Sequence, residues 1–181
     1  MNVLGMNEQM QKLINNLIQI EHVSTTLYLA MSAMSAYLAN QNYTGMANWL
    51  RVQSEEERTH LLKLIDYLTD RGGVVELSAL PAQSTTFGTP LETFQKVLEH
   101  ERFVTDAYRK AYEYAAQNDQ QSAIIIQEFL REQVDEEAQS KTIVDRLTLA
   151  GNNSAAILVL DQELGQRTPA GAAGGAGAAV G

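Results

Sequence analysis

The sequence predicts an all-α protein: a bundle of four long helices with one long crossover, followed by a short fifth helix. Three observations predict it. Glycine and proline are scarce before residue 165 and fall between segments rather than within them. The segments so bounded carry apolar residues in three- and four-residue steps. Each runs to about 26–34 residues, roughly 40–50 Å of helix, and helices of that length pack as bundles at shallow angles.

The first helix is expected from about Asn7 to Asn40. Its stripe is Leu13, Leu17, Ile20, Leu27, Met31, Met34 and Leu38, with Glu21 at the margin. The second starts near Thr44, a plausible cap, and ends near Gly72 and Gly73. Its stripe is Met46, Leu50, Gln53, Glu57, His60, Leu64 and Tyr67. The third follows Thr89–Pro90. Threonine caps well, and proline at the first helical position loses no helical hydrogen bond. Its stripe is Phe94, Leu98, Glu101, Thr105, Tyr108 and Tyr112. The fourth begins near Asp119 and ends before Gly151, with Ile126, Phe129, Leu130, Gln133, Glu136, Ser140, Val144 and Leu147 turned inward. The connection over 74–89 has no periodicity and is long enough to return the chain along the bundle, joining two antiparallel hairpins. The segment Ser154–Leu164 is apolar around most of its circumference and needs a cover, most simply a neighbouring subunit. Residues 1–164 thus read as one bundle domain. Residues 165–181, rich in glycine and alanine, read as a flexible tail.

Composition narrows the chemistry. A hydrophobic fraction of 45% suffices for a sizeable core. The absence of cysteine excludes disulfides, Cys-ligated zinc or iron–sulfur centres and thiol catalysis. With 22 acidic against 13 basic residues the formal charge is -9. This is not the footprint of a nucleic-acid binder, and it favours cations as partners. No apolar stretch reaches membrane-spanning length, and Met1–Glu8 lacks the regions of a secretory signal. A cytoplasmic location is the expectation.

The functional signal is carboxylate placed where a core should be. Glu57, Glu101 and Glu136 interrupt apolar stripes, and Glu21 follows Leu17 by four residues. His60 lies three residues after Glu57, on the same face. A buried carboxylate without a partner is expensive, and several at one depth repel or take up protons. Divalent cations remove both problems. A lone Glu-x-x-His pair is weak evidence and arises readily on a helix surface. Four helices each supplying a carboxylate is a far stronger signal. Oxygen and imidazole donors without thiolate suit iron, manganese or zinc. Tyr28, two turns beyond Glu21, is placed either to hydrogen-bond a ligating carboxylate or to supply an electron beside the metals, its plainer role being a packed aromatic.

The chain resembles the ferritins, especially the non-haem bacterial type, over about residues 7–164. The residues that carry the likeness are Glu21 with Tyr28, Glu56–Glu57–Arg58–Thr59–His60, Glu101, and Glu132–Gln133–Val134–Asp135–Glu136. The resemblance implies a di-iron centre. Glu21, Glu57 and His60 would hold the first iron. Glu57 would bridge to a second, held also by Glu101, with Gln133 nearby. Glu136, with Glu132 and Glu56, would form a third, more exposed iron position. It also implies a homo-oligomeric hollow shell of 24 subunits with the fifth helix at the four-fold axis, and iron entry past acidic residues such as Asp119 and Glu128. Bacterioferritins carry a haem-ligating methionine one residue after the bridging glutamate. Arg58 stands there, and Gln133-x-x-Glu136 replaces a second Glu-x-x-His, so haem is not expected. The activity implied is oxidation of ferrous iron by dioxygen or peroxide, with storage of the ferric product. Two alternatives stay open at this stage: a mineral-holding subunit with little oxidation activity, and a di-metal oxygenase acting on an organic substrate.

Overall fold

A computed structural model of the protein describes residues 6–37 and 42–169. It contains α1 (Glu8–Tyr37), α2 (Thr44–Asp70), α3 (Pro90–Asn118), α4 (Gln120–Ala150) and α5 (Ser154–Leu164), with no strand among the described residues. The all-α class and the five-helix order are those the sequence predicts. The expected end of the first helix near Asn40, and the tail beyond residue 169, lie outside the described residues.

Side chains fix the helix ends. Asn7 Oδ1 accepts from the Met10 amide at 2.8 Å and caps α1. Thr89 and Glu92 form a reciprocal capping box at α3, with Pro90 in the first turn. The Asp119 side chain accepts from Ser122 N and caps α4. Arg71 Nη2, at the end of α2, lies 2.9 Å from Asp119 Oδ2, so one carboxylate joins two helix ends. α2 starts at Thr44 as expected, but its capping differs. Thr44 is its first residue rather than its cap, and Tyr43 at the cap makes no side-chain hydrogen bond. The acceptor comes from α5 instead, where Asp161 Oδ1 takes the Met46 amide at 2.8 Å. Gly45 permits this approach. A Cβ at that position would stand 1.6 Å from the Asp161 carbonyl oxygen.

α1 packs on α2 and α3 on α4, and α1 also meets α3. Contacts between hairpins run antiparallel. Glu21 meets Tyr108 while Tyr28 meets Glu101, and Gln53 meets Glu136 while Tyr67 meets Ser122. The crossover returns along α1 and is pinned by side chains one or two turns apart. Gln11, Asn15 and Gln19 bond the backbone of Val74, Glu76, Ser78 and Ala79 at 2.8–3.4 Å. Amides suit this task because each offers a donor and an acceptor to an otherwise unpaired extended chain.

The inward stripe of α1 is rotated from the one expected. Met10, Ile14, Leu17, Ile18, Tyr28 and Met31 are buried, whereas Leu13, Leu27 and Met34 are only partly so. Glu21, 1% exposed, therefore lies at the centre of the face and not at its margin. Two apolar clusters fill the bundle. One includes Met10, Ile14, Leu64, Leu68, Ile126 and Phe129. The other includes Met31, Met46, Trp49, Phe94, Ile143 and Leu147. Each such side chain contributes about 1.5–3 kcal/mol on burial, and together they exclude water on either side of the polar layer between them.

Candidate metal centre

The polar layer is assembled from all four long helices. Glu21 on α1, Glu57 on α2 and Glu101 on α3 are 1%, 2% and 1% exposed. Gln133 and Glu136, on α4, are also buried. One ligand atom each from Glu21, Glu57 and His60 lies within 4.8 Å of the others. A single helical turn sets His60 against Glu57, with Nδ1 3.2 Å from Oε2. Its other nitrogen, Nε2, lies 2.9 Å from Glu132 Oε2.

Two tyrosines bind the layer across the bundle. Tyr28 on α1 donates to Glu101 Oε1 on α3, and Tyr108 on α3 donates to Glu21 Oε1 on α1. Each tyrosine follows the glutamate of its own helix by seven residues and serves the glutamate of the other. Tyr28 is the hydrogen-bond donor to a buried carboxylate that the sequence suggested. Tyr108 was not singled out, although its spacing from Glu101 repeats that of Tyr28 from Glu21. Gln133 Nε2 donates to Glu101 Oε2 at 3.1 Å. Gln53, fully buried and also unassigned from sequence, donates to Glu57 Oε1 at 2.9 Å and to Glu136 Oε2 at 2.8 Å.

The electrostatics of the layer favour a bound cation. Burial, and then the charge of Glu57, push the Glu21 carboxyl well above the usual carboxylate range. Burial with the charges of Glu57 and Glu136 pushes Glu101 up to about 8. Burial with Glu57 pushes Glu136 up to about 7. Burial opposes charge on Glu57 too, but hydrogen bonding and attraction from His60 outweigh it and hold Glu57 ionised. Burial likewise opposes the imidazolium of His60, and Glu132 and Glu57 overcome that, raising it to about 11. Protons thus balance the metal-free layer. Glu21 Oε2 is buried, receives no hydrogen bond from a donor group, and has the Glu57 carboxylate beside it. An acceptor in that position, beside a second carboxylate and an imidazole, fits a divalent cation with oxygen and nitrogen ligands.

An open cleft leads outward from this layer. Its volume is about 580 Å³, and its lining includes Glu56, His60, Glu132, Asp135, Glu136 and Arg167. Glu56, Glu132 and Glu136, grouped from sequence, therefore face one space. Arg167 was not anticipated. The suggested acidic residues at the start of α4 lie elsewhere. Asp119 is held by Arg71, and Glu128 pairs with Lys63 at 3.0 Å.

Buried carboxylates and a histidine drawn from separate helices into one dry layer define a metal-binding four-helix bundle of the carboxylate–histidine class. Comparison with known proteins gives the family. Residues 11–150 match the family model for the ferritin-like domain. A bacterial non-haem ferritin of Bacteroides fragilis is 38% identical over 162 residues, covering 89% of this chain and 99% of the relative. One from Staphylococcus aureus is 34% identical over 164 residues, covering 90% and 97%. Among solved structures, an open-pore ferritin of the hyperthermophilic archaeon Archaeoglobus fulgidus superposes with a TM-score of 0.87 at 35% identity, covering 92% of this chain and all of that one. The chain belongs to the ferritin family, in its non-haem bacterial branch. Its fold and its buried Glu/Glu/His cluster are those of a protein that oxidises and stores iron, and family membership implies assembly into an oligomer. No helix among the described residues is long and apolar enough to cross a membrane.

Proposed function

We propose that this chain takes two ferrous ions as substrate into the buried layer, oxidises them, and passes the ferric product to a store inside a shell of 24 subunits. In this reading Glu21, Glu57 and His60 hold the first ion, and Glu57 and Glu101 share the second. Gln133 and Glu136 lie beside the second ion. Glu56, Glu132 and Glu136 offer a third position at the mouth of the cleft. Each ferrous ion gives up one electron. Dioxygen takes two electrons and two protons and leaves as hydrogen peroxide, or peroxide takes two electrons and two protons and leaves as water. The protein's own part is to bind, orient and exchange protons. Glu21 and Glu101 release protons as the cations arrive, and His60 must lose one to offer a nitrogen lone pair. Tyr108 keeps one oxygen of Glu21 fixed and leaves the other to a cation, whereas Tyr28 and Gln133 hold the two oxygens of Glu101, so Gln133 must turn aside as the second ion arrives.

The observation that carries this reading is the convergence of Glu21, Glu57 and His60 with a buried carboxylate oxygen that receives no hydrogen bond from a donor group. Anaerobic loading with ferrous iron followed by rapid mixing with oxygen tests it. A fast phase accounting for about two irons per subunit is expected, and it should be absent in Glu57→Ala. A Glu57→Ala variant that kept the fast phase would leave the assignment without support.

A further inference from the structure

Beyond α5 the chain turns back over α2. Asn48 Nδ2 donates to the carbonyl oxygens of Gly165 and Arg167, at 3.3 and 2.9 Å, and fixes the path of this strap. The Arg167 side chain then enters the mouth of the acidic cleft, with only 15% of it exposed. Its guanidinium stacks 4.4 Å from the centre of the Trp49 ring. It donates to Glu56 Oε2 and, at 2.8 Å, to Gln53 Oε1.

Two consequences follow. Arginine keeps its proton at every accessible pH, so Arg167 is a permanent positive charge on the carboxylate that the third cation needs. By engaging Gln53 Oε1, it also turns Gln53 Nε2 toward Glu57 and Glu136. An amide nitrogen of this kind donates hydrogen bonds and does not bind a metal. Arg167 therefore both neutralises Glu56, one of the three carboxylates of the third position, and holds the amide beside it in a form that disfavours a cation.

We propose that Arg167 is a tethered counter-ion of the third cation position, so that a metal ion occupies Glu56, Glu132 and Glu136 only by displacing the strap of residues 165–169. The proposal rests on the third position assigned under the proposed function. Filling that position and docking the strap are mutually exclusive, so each weakens the other by the same factor.

The assembled full-length protein can be titrated with Zn²⁺, which has no redox chemistry to confuse the reading. Trp49 is the single tryptophan of the chain and lies under Arg167, so its emission reports the strap. In the wild type the third equivalent of zinc should change Trp49 emission, and the first two should not. Arg167→Leu should start at the displaced emission and show no further change. Calorimetry should find the third zinc bound about tenfold more tightly in Arg167→Leu. Unchanged or weaker third-zinc binding in Arg167→Leu overturns the proposal, as does wild-type Trp49 emission that stays flat through the third equivalent. Glu132→Gln separates the two failures. If it leaves the third equivalent untouched, the third position itself is misassigned and the proposal falls with it.

Discussion

At the scale of single residues, the centre depends on groups that serve the ligands. Tyr108 satisfies one oxygen of Glu21, while the other has only the Glu57 carboxylate beside it. Tyr108→Phe removes that donor in the metal-free protein, and a loss of about 1–3 kcal/mol is expected there. Zinc supplies a partner to the carboxylate, so thermal unfolding should show a smaller loss in the loaded protein. Equal losses in both states would contradict this role. Protonation gives a second prediction. Glu101 and Glu136 titrate near 8 and near 7 in the fold, above the 4.5 of an unperturbed glutamate. Groups raised in this way contribute stability that is fully present below pH 4.5 and lost as pH rises through their folded values. The lowered carboxyls, Glu57, Asp119 and Glu132, act in the opposite sense below that window, and partly buried His100, also lowered, opposes it only below pH 6.5, against the three raised carboxyls Glu21, Glu101 and Glu136. The metal-free protein should therefore lose thermal stability between about pH 4.5 and 8, and zinc should flatten the profile. A metal-free profile that rises across this range would count against the buried, protonated layer.

At the scale of helices, what was legible in the sequence was what neighbouring residues decide. Thr89 and Pro90 signal a cap from adjacent positions, and the structure places both as expected, with Glu92 completing a capping box. Thr89→Ala should cost about 1 kcal/mol, read as a lower unfolding midpoint. The group that caps α2 was not legible, because the acceptor, Asp161, is 115 residues away from Met46. Gly45 records that contact, since any side chain there meets the Asp161 backbone. Gly45→Ala should undock α5 from α2, seen as faster amide exchange over 154–164, whereas exchange unchanged from wild type would show that the approach is relaxed cheaply. The same division holds in the centre. Glu57 and His60 declared themselves by helical spacing, and the glutamates by interrupting apolar stripes. Gln53 and Arg167 did not, because their roles come from partners on α4 and on the strap beyond α5. The position of Glu21 was misjudged by part of a turn, because large residues such as Leu13 and Leu27 sit on the flank of α1 while smaller Ser24 faces inward.

At the scale of the whole molecule, two apolar plugs with a charged layer between them make the fold and the chemistry interdependent. The plugs keep water from the carboxylates, and the carboxylates tolerate that dryness by holding protons or cations. Exposed Leu158 and Val159 on α5 leave an apolar surface on the single subunit, which an assembled shell would cover. The most direct test of the central claim is anomalous diffraction from crystals soaked with ferrous iron without oxygen, or with zinc. Two peaks about 3.5–4 Å apart are predicted, one touching Glu21, Glu57 and His60 and the other touching Glu57 and Glu101. A buried layer that stays free of metal, or peaks confined to the outer cleft with Glu57 unliganded, would contradict the account.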